Sequence, residues 1–371
     1  MASRLPPLLA HEVEVFGRDI IGVLVSFVAP TVIAALWIWA LKPQSSEIPV
    51  AVFVAPSEEV DQRLRADALV RAISNSERTG RVVEVDDVRE IDNLMRRNEI
   101  SVGIVVEVIR DDEKASRSRI VVEADGTNPV SVLDELRQIE RGVSMYLDSS
   151  NDPDRRYRVE LRARYNPRIK SAYLLLPGLA VLLGNWVAMV LACVSVMRER
   201  PRALSLYLRS LPIRPWERVA SKTLVASLLG MISFFFIVIV CGTLFGVDVP
   251  GPIPLVMLAG GSSFSILSSA LIGVLVGWRT RTDVGSVMSI GLLLLLTFFL
   301  SGWWSPTYEL PAPLQVVALC LPVTHHVPIA KSLLLRGGDL GDVASYVIRS
   351  AVVCLFGFVL SVLAARRPAS Q

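Results

Sequence analysis

The stretch VMRERPRALSLYLRSLPIRPWERVASK, residues 196–222, separates two long apolar runs and carries seven arginines and lysines against two glutamates. Loops between membrane spans that are this rich in arginine and lysine are typical of the cytoplasmic side. The stretch therefore predicts a membrane-embedded chain and fixes the direction in which the chain crosses the bilayer.

Composition agrees with a membrane protein. The chain has 371 residues, of which 52% are hydrophobic, and its net charge of +3 hides a segregation of the charged groups. Most acidic residues lie between Glu47 and Glu160, whereas the later apolar half is flanked mainly by arginine. This pattern gives no support for nucleic-acid binding, and the basic residues are interpreted as topology signals.

Six apolar runs are long enough to cross a bilayer as helices, which takes about 20 residues each. The first, 20–41, is too long for the apolar region of a signal peptide and is predicted to be a retained anchor. The other five lie within 171–365. The six runs are about Ile20–Leu41, Ala172–Met197, Thr223–Val247, Ile253–Trp278, Val284–Trp304 and Val343–Ala365.

The charges of the connecting loops agree on one orientation. The loop 198–222, the Arg279/Arg281 turn and the tail 366–371 carry arginine and are predicted to face the cytoplasm. Both termini then lie inside, with residues 1–19 as an interfacial helix on the inner surface. We predict a multi-pass protein of the cell (inner or plasma) membrane.

The polar segment 42–170 is predicted to be a folded domain on the outer face. Residues 49–55, 101–109 and 119–125 have the pattern of buried strands. Residues 58–73, 87–97 and 129–147 have the pattern of helices, and alternating strands and helices favour an α/β arrangement. The predicted fold class is an α-helical polytopic membrane protein with six transmembrane helices and an inserted α/β extracytoplasmic domain.

Several kinds of chemistry have no sequence signature here. There is no G-x-x-x-x-G-K-[ST] loop for ATP phosphates, and no catalytic, cofactor-binding or metal-binding residue is predicted. The adjacent His325 and His326 would point in different directions, which disfavours a shared metal site. The centres of the spans carry no ionisable side chain, which argues against an ion-coupled carrier. The energy for any transport is expected to come from outside the bilayer.

Small and weakly polar residues in the spans predict close helix packing, because they let helix backbones approach each other in lipid. Asn185 in the second span needs a partner across a helix interface. The predicted packing residues are Asn185, Ser265, Ser269, Gly273 and Gly277.

A short amphipathic helix is predicted within the basic loop. Leu204, Tyr207, Leu208 and Leu211 fall on one face, and Pro212 would end the helix. The apolar face suits either of two roles, an anchor on anionic lipid or a docking helix that enters a groove of a cytoplasmic partner. Periodicity alone does not separate the two.

The loop as a whole resembles the cytoplasmic loop of type-2 ABC transporter permeases, in which an R-E-R element, a short helix and P-[IL]-R-P-W-E followed by K recur. The segments 165–183, 121–129 and 299–337 are similar to three further parts of this family. These are, respectively, the entry of the second span, the outer-domain signature of the drug-exporter-like branch, and the fifth span with its outer hairpin. Residues 201–206, PRALSL, depart from the acidic Gly-Thr-Leu-Glu run that is common in the family.

This resemblance implies the permease subunit of an ABC exporter. Two such subunits, identical or homologous, would form the translocation path and bind a separate ATPase that holds ATP and magnesium. The implied coupling residues are Arg198, Glu199, Arg200, Leu204, Tyr207, Leu208, Leu211, Arg214, Pro215, Trp216 and Glu217.

The stretch 305–342 is apolar but interrupted by prolines, so that each piece is too short to cross a bilayer. We predict two re-entrant helices, about 313–321 and 324–335, that dip into the outer leaflet. The resemblance implies an outer gate here with Trp303, Trp304, His325 and His326 as candidates, and the alternative is a passive connector on the membrane surface.

A function of another class is also open. The chain could be a membrane receptor or scaffold whose outer α/β domain binds a ligand or an envelope partner. A receptor of this kind would need a cytoplasmic output domain beyond the predicted tail 366–371.

Overall fold

The computed structural model describes residues 4–40, 48–54, 79–85, 87–97, 99–100, 102–110, 116–125, 158–164, 171–200, 213–304 and 307–366. The chain divides into two compact units, one of helices and one built around a β-sheet. Six of the described helices are long and apolar enough to cross a membrane. The chain is therefore a polytopic, mainly helical membrane protein.

The described ranges contain ten α-helices, and all but α3 belong to the helical unit. The short helix α1 precedes the first span, and α8 and α9 lie between the last two spans. In chain order the helices are α1 Leu5–Arg18, α2 Ile20–Ala40, α3 Val88–Arg96, α4 Ser171–Met197, α5 Pro215–Phe245, α6 Pro252–Arg279, α7 Asp283–Leu300, α8 Ala312–Leu319, α9 Pro322–Leu335 and α10 Leu340–Arg366.

Helix α4 lies at the centre of the helical unit. In the most apolar stretch of α4, 83% of the residues are buried. The corresponding share is 22% in α2 and α7 and 11% in α10. One core cluster joins Val187, Ala188 and Leu191 of α4 to Ala226 of α5 and Ile266 of α6. The outer helices expose their apolar side chains, as expected for surfaces that face lipid, where contact with lipid tails costs little.

Two predicted span boundaries were wrong. The third span begins as a helix at Pro215, eight residues before the predicted Thr223, because proline is well suited to the first turn of a helix. The fifth span ends at Leu300, so that Trp303 and Trp304 follow the helix instead of closing it. The PWE segment of the basic loop is thus the first turn of α5.

The proline-rich stretch before the last span forms two helices, α8 and α9. They begin and end within two residues of the predicted bounds and are bent by 78° at a short break, as in a broken span or a re-entrant loop. Gly337, with φ of 63°, adopts the left-handed conformation that favours glycine and lies between α9 and α10. The depth of this pair in the bilayer stays a prediction.

The second unit contains a five-stranded mixed sheet in the order β2-β1-β3-β4-β5. The strands are β1 Ile48–Val54, β2 Thr79–Glu84, β3 Val102–Arg110, β4 Ser116–Asp125 and β5 Arg158–Arg164. Strands β1, β2 and β3 are parallel, β3 and β4 are antiparallel, and β5 runs parallel to β4.

Strands β1, β3 and β4 lie at the three predicted positions, and α3 lies at the predicted helix 87–97. Asp87 caps α3 by accepting a hydrogen bond from Arg89 N, and Ile91 and Met95 pack on Val105 and Val121 of the sheet. The edge strands β2 and β5 were missed. Strand β5 alternates charged residues, three arginines and Glu160, with apolar ones, and charged side chains are common on edge strands. The predicted helices 58–73 and 129–147 lie outside the described residues.

Candidate functional site

A buried lysine connects three parts of the chain at one end of the helical unit. Lys222, near the start of α5, is 2% exposed, and its Nζ donates to Glu12 Oε1 of α1 at 2.6 Å. The same Nζ lies 2.7 Å from Glu199 Oε1 and donates to Ser195 Oγ of α4 at 2.9 Å. Ser195 Oγ in turn donates to Glu12 Oε2 at 2.6 Å. One ammonium therefore satisfies two carboxylates from different parts of the chain.

Glu199, the middle residue of the R-E-R element, is held between two cations. Arg218 Nη2 lies 2.6 Å from Glu199 Oε2, while Lys222 takes the other carboxylate oxygen. Burial alone would raise the pKa of the Glu199 carboxyl, but the Lys222 ammonium and the Arg218 guanidinium outweigh it and hold this pKa below its ordinary value. Glu199 is therefore charged at neutral pH.

The two arginines beside Glu199 reach in different directions. Arg198 pairs with Asp19, which itself caps α2 by accepting from Gly22 N, and its guanidinium lies 5.4 Å from the centre of the Phe16 ring. Arg200 pairs with Asp283 at the start of α7, at 2.6 Å.

The Arg200 guanidinium also closes the turn between α6 and α7. Its Nη2 donates to the carbonyl oxygens of Gly277 and Thr280 and to the hydroxyl of Ser286. These carbonyls belong to the end of α6, where acceptors are left without helical partners. We call the set of Glu12, Asp19, Arg198, Glu199, Arg200, Arg218, Lys222 and Asp283 the charged junction.

The remaining described coupling candidates form the start of α5. Glu217 is 2% exposed, and its two carboxylate oxygens accept from the backbone N–H groups of Arg214 and Arg4. Pro215 is the first helical residue, Trp216 is half-buried and Arg214 is exposed. The other four candidates lie outside the described residues, as does the departure at 201–206; they are Leu204, Tyr207, Leu208 and Leu211.

Helix α1 packs against its neighbours through a face that includes a charged residue. Glu12 and Phe16 are its buried residues, whereas Val13 is 57% exposed. Sequence reasoning missed both Glu12 and Lys222 as partners, because the two residues lie 210 positions apart. The one available signal was that Glu12 interrupts an otherwise apolar helical face formed by Leu8, Leu9 and Phe16.

A second polar group lies among the spans, away from the charged junction. Asn185 of α4 donates through Nδ2 to Val181 O, lies 2.7 Å from His326 Nδ1 of α9, and accepts from Ser269 Oγ of α6 at 2.8 Å. We call Asn185, Ser269 and His326 the amide cluster. All three side chains are buried, so that the lone amide has the cross-helix partners that its position in a span requires.

The backbones of α4 and α6, the helices that carry Asn185 and Ser269 of the amide cluster, also approach each other closely. A Cβ on Gly273 would overlap the carbonyl oxygen of Met189, and one on Gly277 would overlap Val196. Ser265 of α6 exchanges a hydrogen bond with Ser350 of α10 at 2.8 Å. The small residues of α6 thus lie at its crossings with α4 and α10.

The gate candidates are mostly buried within this single chain. Trp303 and His326 are 0% exposed and His325 is 2% exposed, whereas Trp304 is half-buried. Trp303 stacks edge-on with Trp37 of α2, and His325 Nε2 is 2.8 Å from the backbone oxygen at the end of α8. The two histidines have different partners, and their role in a gate stays a prediction.

A cavity of about 20 Å³ lies beside the amide cluster, between α4, α6 and α7 and the residues 321–323. Asn185, Trp186, Ser269 and Thr297 are its polar lining residues, and the rest are apolar. Pockets that take a drug-sized molecule measure roughly 300–1,000 Å³. This cavity is therefore too small for such a ligand.

Comparison with known proteins gives a consistent result. A family model described as ABC-2 family transporter protein matches residues 20–366. The chain is 31% identical over 186 residues to "Inner membrane transport permease YhhJ" of Escherichia coli K12, covering 48% of each protein. It is 21% identical over 205 residues to "Probable multidrug ABC transporter permease YbhR" of the same organism, covering 55% of each. The chain spans about half the length of these curated relatives.

Proposed function

This chain belongs to the ABC-2 family of transporter proteins, and we propose that it is the membrane-spanning permease subunit of an ATP-binding-cassette exporter in the inner membrane. Two such subunits, identical or homologous, form the translocation path. A separate ATPase binds ATP and magnesium and drives the cycle from the cytoplasm. Both termini lie on the cytoplasmic side, and the sheet unit lies outside.

The observation that carries the proposal is the family match over 20–366, together with the six apolar helices that it covers. The names of the relatives agree with a permease role, one in the inner membrane and one called a multidrug permease. The side chains through which α4 meets α6 in the amide cluster are neutral, which is in keeping with an energy source that lies in a partner.

Transport between two subunits agrees with the close contact of α4 and α6 inside one subunit, where a Cβ on Gly273 would overlap the carbonyl oxygen of Met189. An interface between two copies provides a wider path without opening the packed α4–α6 contact.

The test is whether a specific ATPase accompanies the chain. The tagged protein, purified in mild detergent, should carry an ATP-binding-cassette protein in fixed stoichiometry, and the complex should hydrolyse ATP in a vanadate-sensitive manner. Purification of the chain without such a protein from its native membrane would contradict the proposed function.

The docking role of the amphipathic loop helix is a separate prediction. Leu208→Asp should leave the protein inserted and monodisperse but remove the ATPase, because a charge in an apolar groove is costly. Ser205→Asp, which lies outside the predicted apolar face of Leu204, Tyr207, Leu208 and Leu211, is the matched control and should retain the ATPase. Equal retention in both variants would favour the lipid-anchor role instead.

A further inference from the structure

We infer that the R-E-R element and Lys222 join α1, α5 and the α6–α7 turn into one rigid body, with Lys222 as a positioning residue that keeps α1 attached. This inference deepens the proposed function. It rests on that function only for the claim that an ATPase moves the rigid body after ATP binds. In this body the three R-E-R side chains act inside the subunit, and the ATPase moves the whole body by contacts elsewhere on its surface.

The first reason is that the three consecutive side chains bind three different elements. Arg198 binds Asp19 between α1 and α2. Glu199 binds two cations of α5. Arg200 binds Asp283 and the end of α6. All of these elements are therefore fixed relative to the end of α4, and a displacement of any of them would break at least one charged contact.

The second reason is that the charges of the junction balance. Four cations meet four carboxylates, and each cation has a carboxylate partner within the chain. Among the described residues, the junction is therefore neutral as a set. The cations are Arg198, Arg200, Arg218 and Lys222, and the carboxylates are Asp19, Asp283, Glu199 and Glu12.

The third reason is the position of Lys222 at the centre of the set. It is 2% exposed and is the cation that meets both Glu12 and Glu199. Glu12 is 5% exposed, and the neutral hydroxyl of Ser195 donates to its second carboxylate oxygen. Removing the ammonium takes the cation away from a buried carboxylate on α1, which favours separation of α1 from α4 and α5.

By contrast, Arg214 at the start of α5 is exposed and has no part in the junction. Its side chain and the outer surface of α1 remain accessible on the same body. Contacts with a partner are expected there.

The experiment measures the distance between α1 and α5 by double electron–electron resonance. Gly17 of α1 has open space around the position of a Cβ, and Leu228 of α5 is 59% exposed, so that Gly17→Cys and Leu228→Cys accept spin labels without disturbing the junction. The native cysteines are replaced by alanine. The full complex is measured without nucleotide and after trapping with ATP and vanadate, and the trapped state is verified by loss of ATP hydrolysis.

A single narrow distance that is the same in both states is expected for the unaltered junction. Lys222→Met should replace it by a broad distribution with longer distances, while Lys222→Arg, which keeps a cation, should restore the narrow one. Arg18→Ala, which removes an exposed ion pair of the same helix, should leave the distance unchanged.

Two results would overturn the inference. One is a distance that differs between the two states in the unaltered junction, since a rigid body does not change internally. The other is a narrow distance in a monodisperse Lys222→Met protein. If Lys222→Met does not yield monodisperse protein, Glu12→Gln is measured instead, and a distance as narrow as that of the unaltered junction overturns the inference equally.

A failure of the proposed function would give a different result from a failure of the rigid-body inference. A chain that brings no ATPase contradicts the exporter assignment. The rigid body is still tested in that case, because the nucleotide-free chain with its native lysine can be compared with the Lys222→Met and Lys222→Arg variants.

Discussion

The charged junction and the amide cluster both connect α4 to its neighbours, but they satisfy their polar groups by different means. In the junction, full charges pair in a closed set, and a single lysine meets two carboxylates. In the amide cluster, neutral groups exchange hydrogen bonds of 2.7 and 2.8 Å near a helix crossing too close for a side chain at Gly273.

This difference follows from where each region lies along the spans. A full charge is costly at the centre of a bilayer and must be paired or moved toward an end. Neutral amides and hydroxyls can stay inside if they find partners, and close packing supplies most of the attraction there. Ion pairs therefore hold the helices together near their ends, and close packing with neutral hydrogen bonds holds them together in the middle of the spans.

The largest expected effect tests the contact in the middle of the helices. Gly273→Val should abolish monodisperse protein, because its side chain would overlap the backbone carbonyl of Met189, which cannot move without displacing α4. Gly260→Val on the same helix is the control, since nothing lies within 4 Å of its Cβ position. The measurement is size-exclusion chromatography of the detergent extract. Identical behaviour of the two variants would show that close packing does not hold α4 to α6.

The next effect tests the closed charge set. Lys222→Met should lower the free energy of unfolding by about 3–5 kcal/mol, the usual cost of leaving a buried charge without its partner. Adding Glu12→Gln should recover part of that loss, because it removes the carboxylate that was left behind. Unfolding by SDS in mixed micelles measures both. A double variant as unstable as the sum of the two single variants would mean that the two side chains are not coupled.

A smaller loss is expected in the amide cluster. Asn185→Ala should cost about 1 kcal/mol, because hydrogen bonds between helices in membranes contribute on average about 0.6 kcal/mol each and the change removes those to Ser269 and His326. Ser269→Ala, which removes one of them, should cost less. The same unfolding assay applies. A loss as large as that of Lys222→Met would erase the contrast between the two regions.

The smallest effect is expected at an ion pair outside both regions. Arg18 and Glu14 pair on the surface of α1, with side chains 79% and 58% exposed. Arg18→Ala should change the free energy of unfolding by less than about 0.5 kcal/mol. A large loss here would show that exposed charge on α1 matters as much as the junction.

Much of the helical architecture followed from patterns along the chain. Length and hydropathy predicted the number of spans, and all but the third and fifth were placed close to their structural ends. Proline spacing predicted the bent pair α8 and α9. Short apolar runs predicted β1, β3 and β4 as buried strands, and the pattern of residues 87–97 predicted α3.

Other features depended on neighbours that are distant in sequence. The start of α5 was placed too late, because PWE was interpreted as loop although Glu217 accepts hydrogen bonds from the backbone N–H groups of Arg214 and Arg4. The edge strand β5 was missed although RVELRAR alternates charged and apolar residues, which is the pattern of a half-buried strand. The packed face of α1 centres on Glu12 and Phe16, and nothing near Glu12 in the sequence indicates that its partner is Lys222.

The sequence by itself determined that this is a membrane protein, which helices are long and apolar enough to span the bilayer, and which residues are small enough to let them approach. These properties depend on local hydropathy and side-chain volume, which each residue carries with it. Only the tertiary structure decided that Lys222 meets Glu12, 210 residues away in the sequence, and that the R-E-R side chains turn toward three different elements. Such pairings arise from the approach of distant segments, and a charge in a sequence does not indicate which opposite charge it will meet.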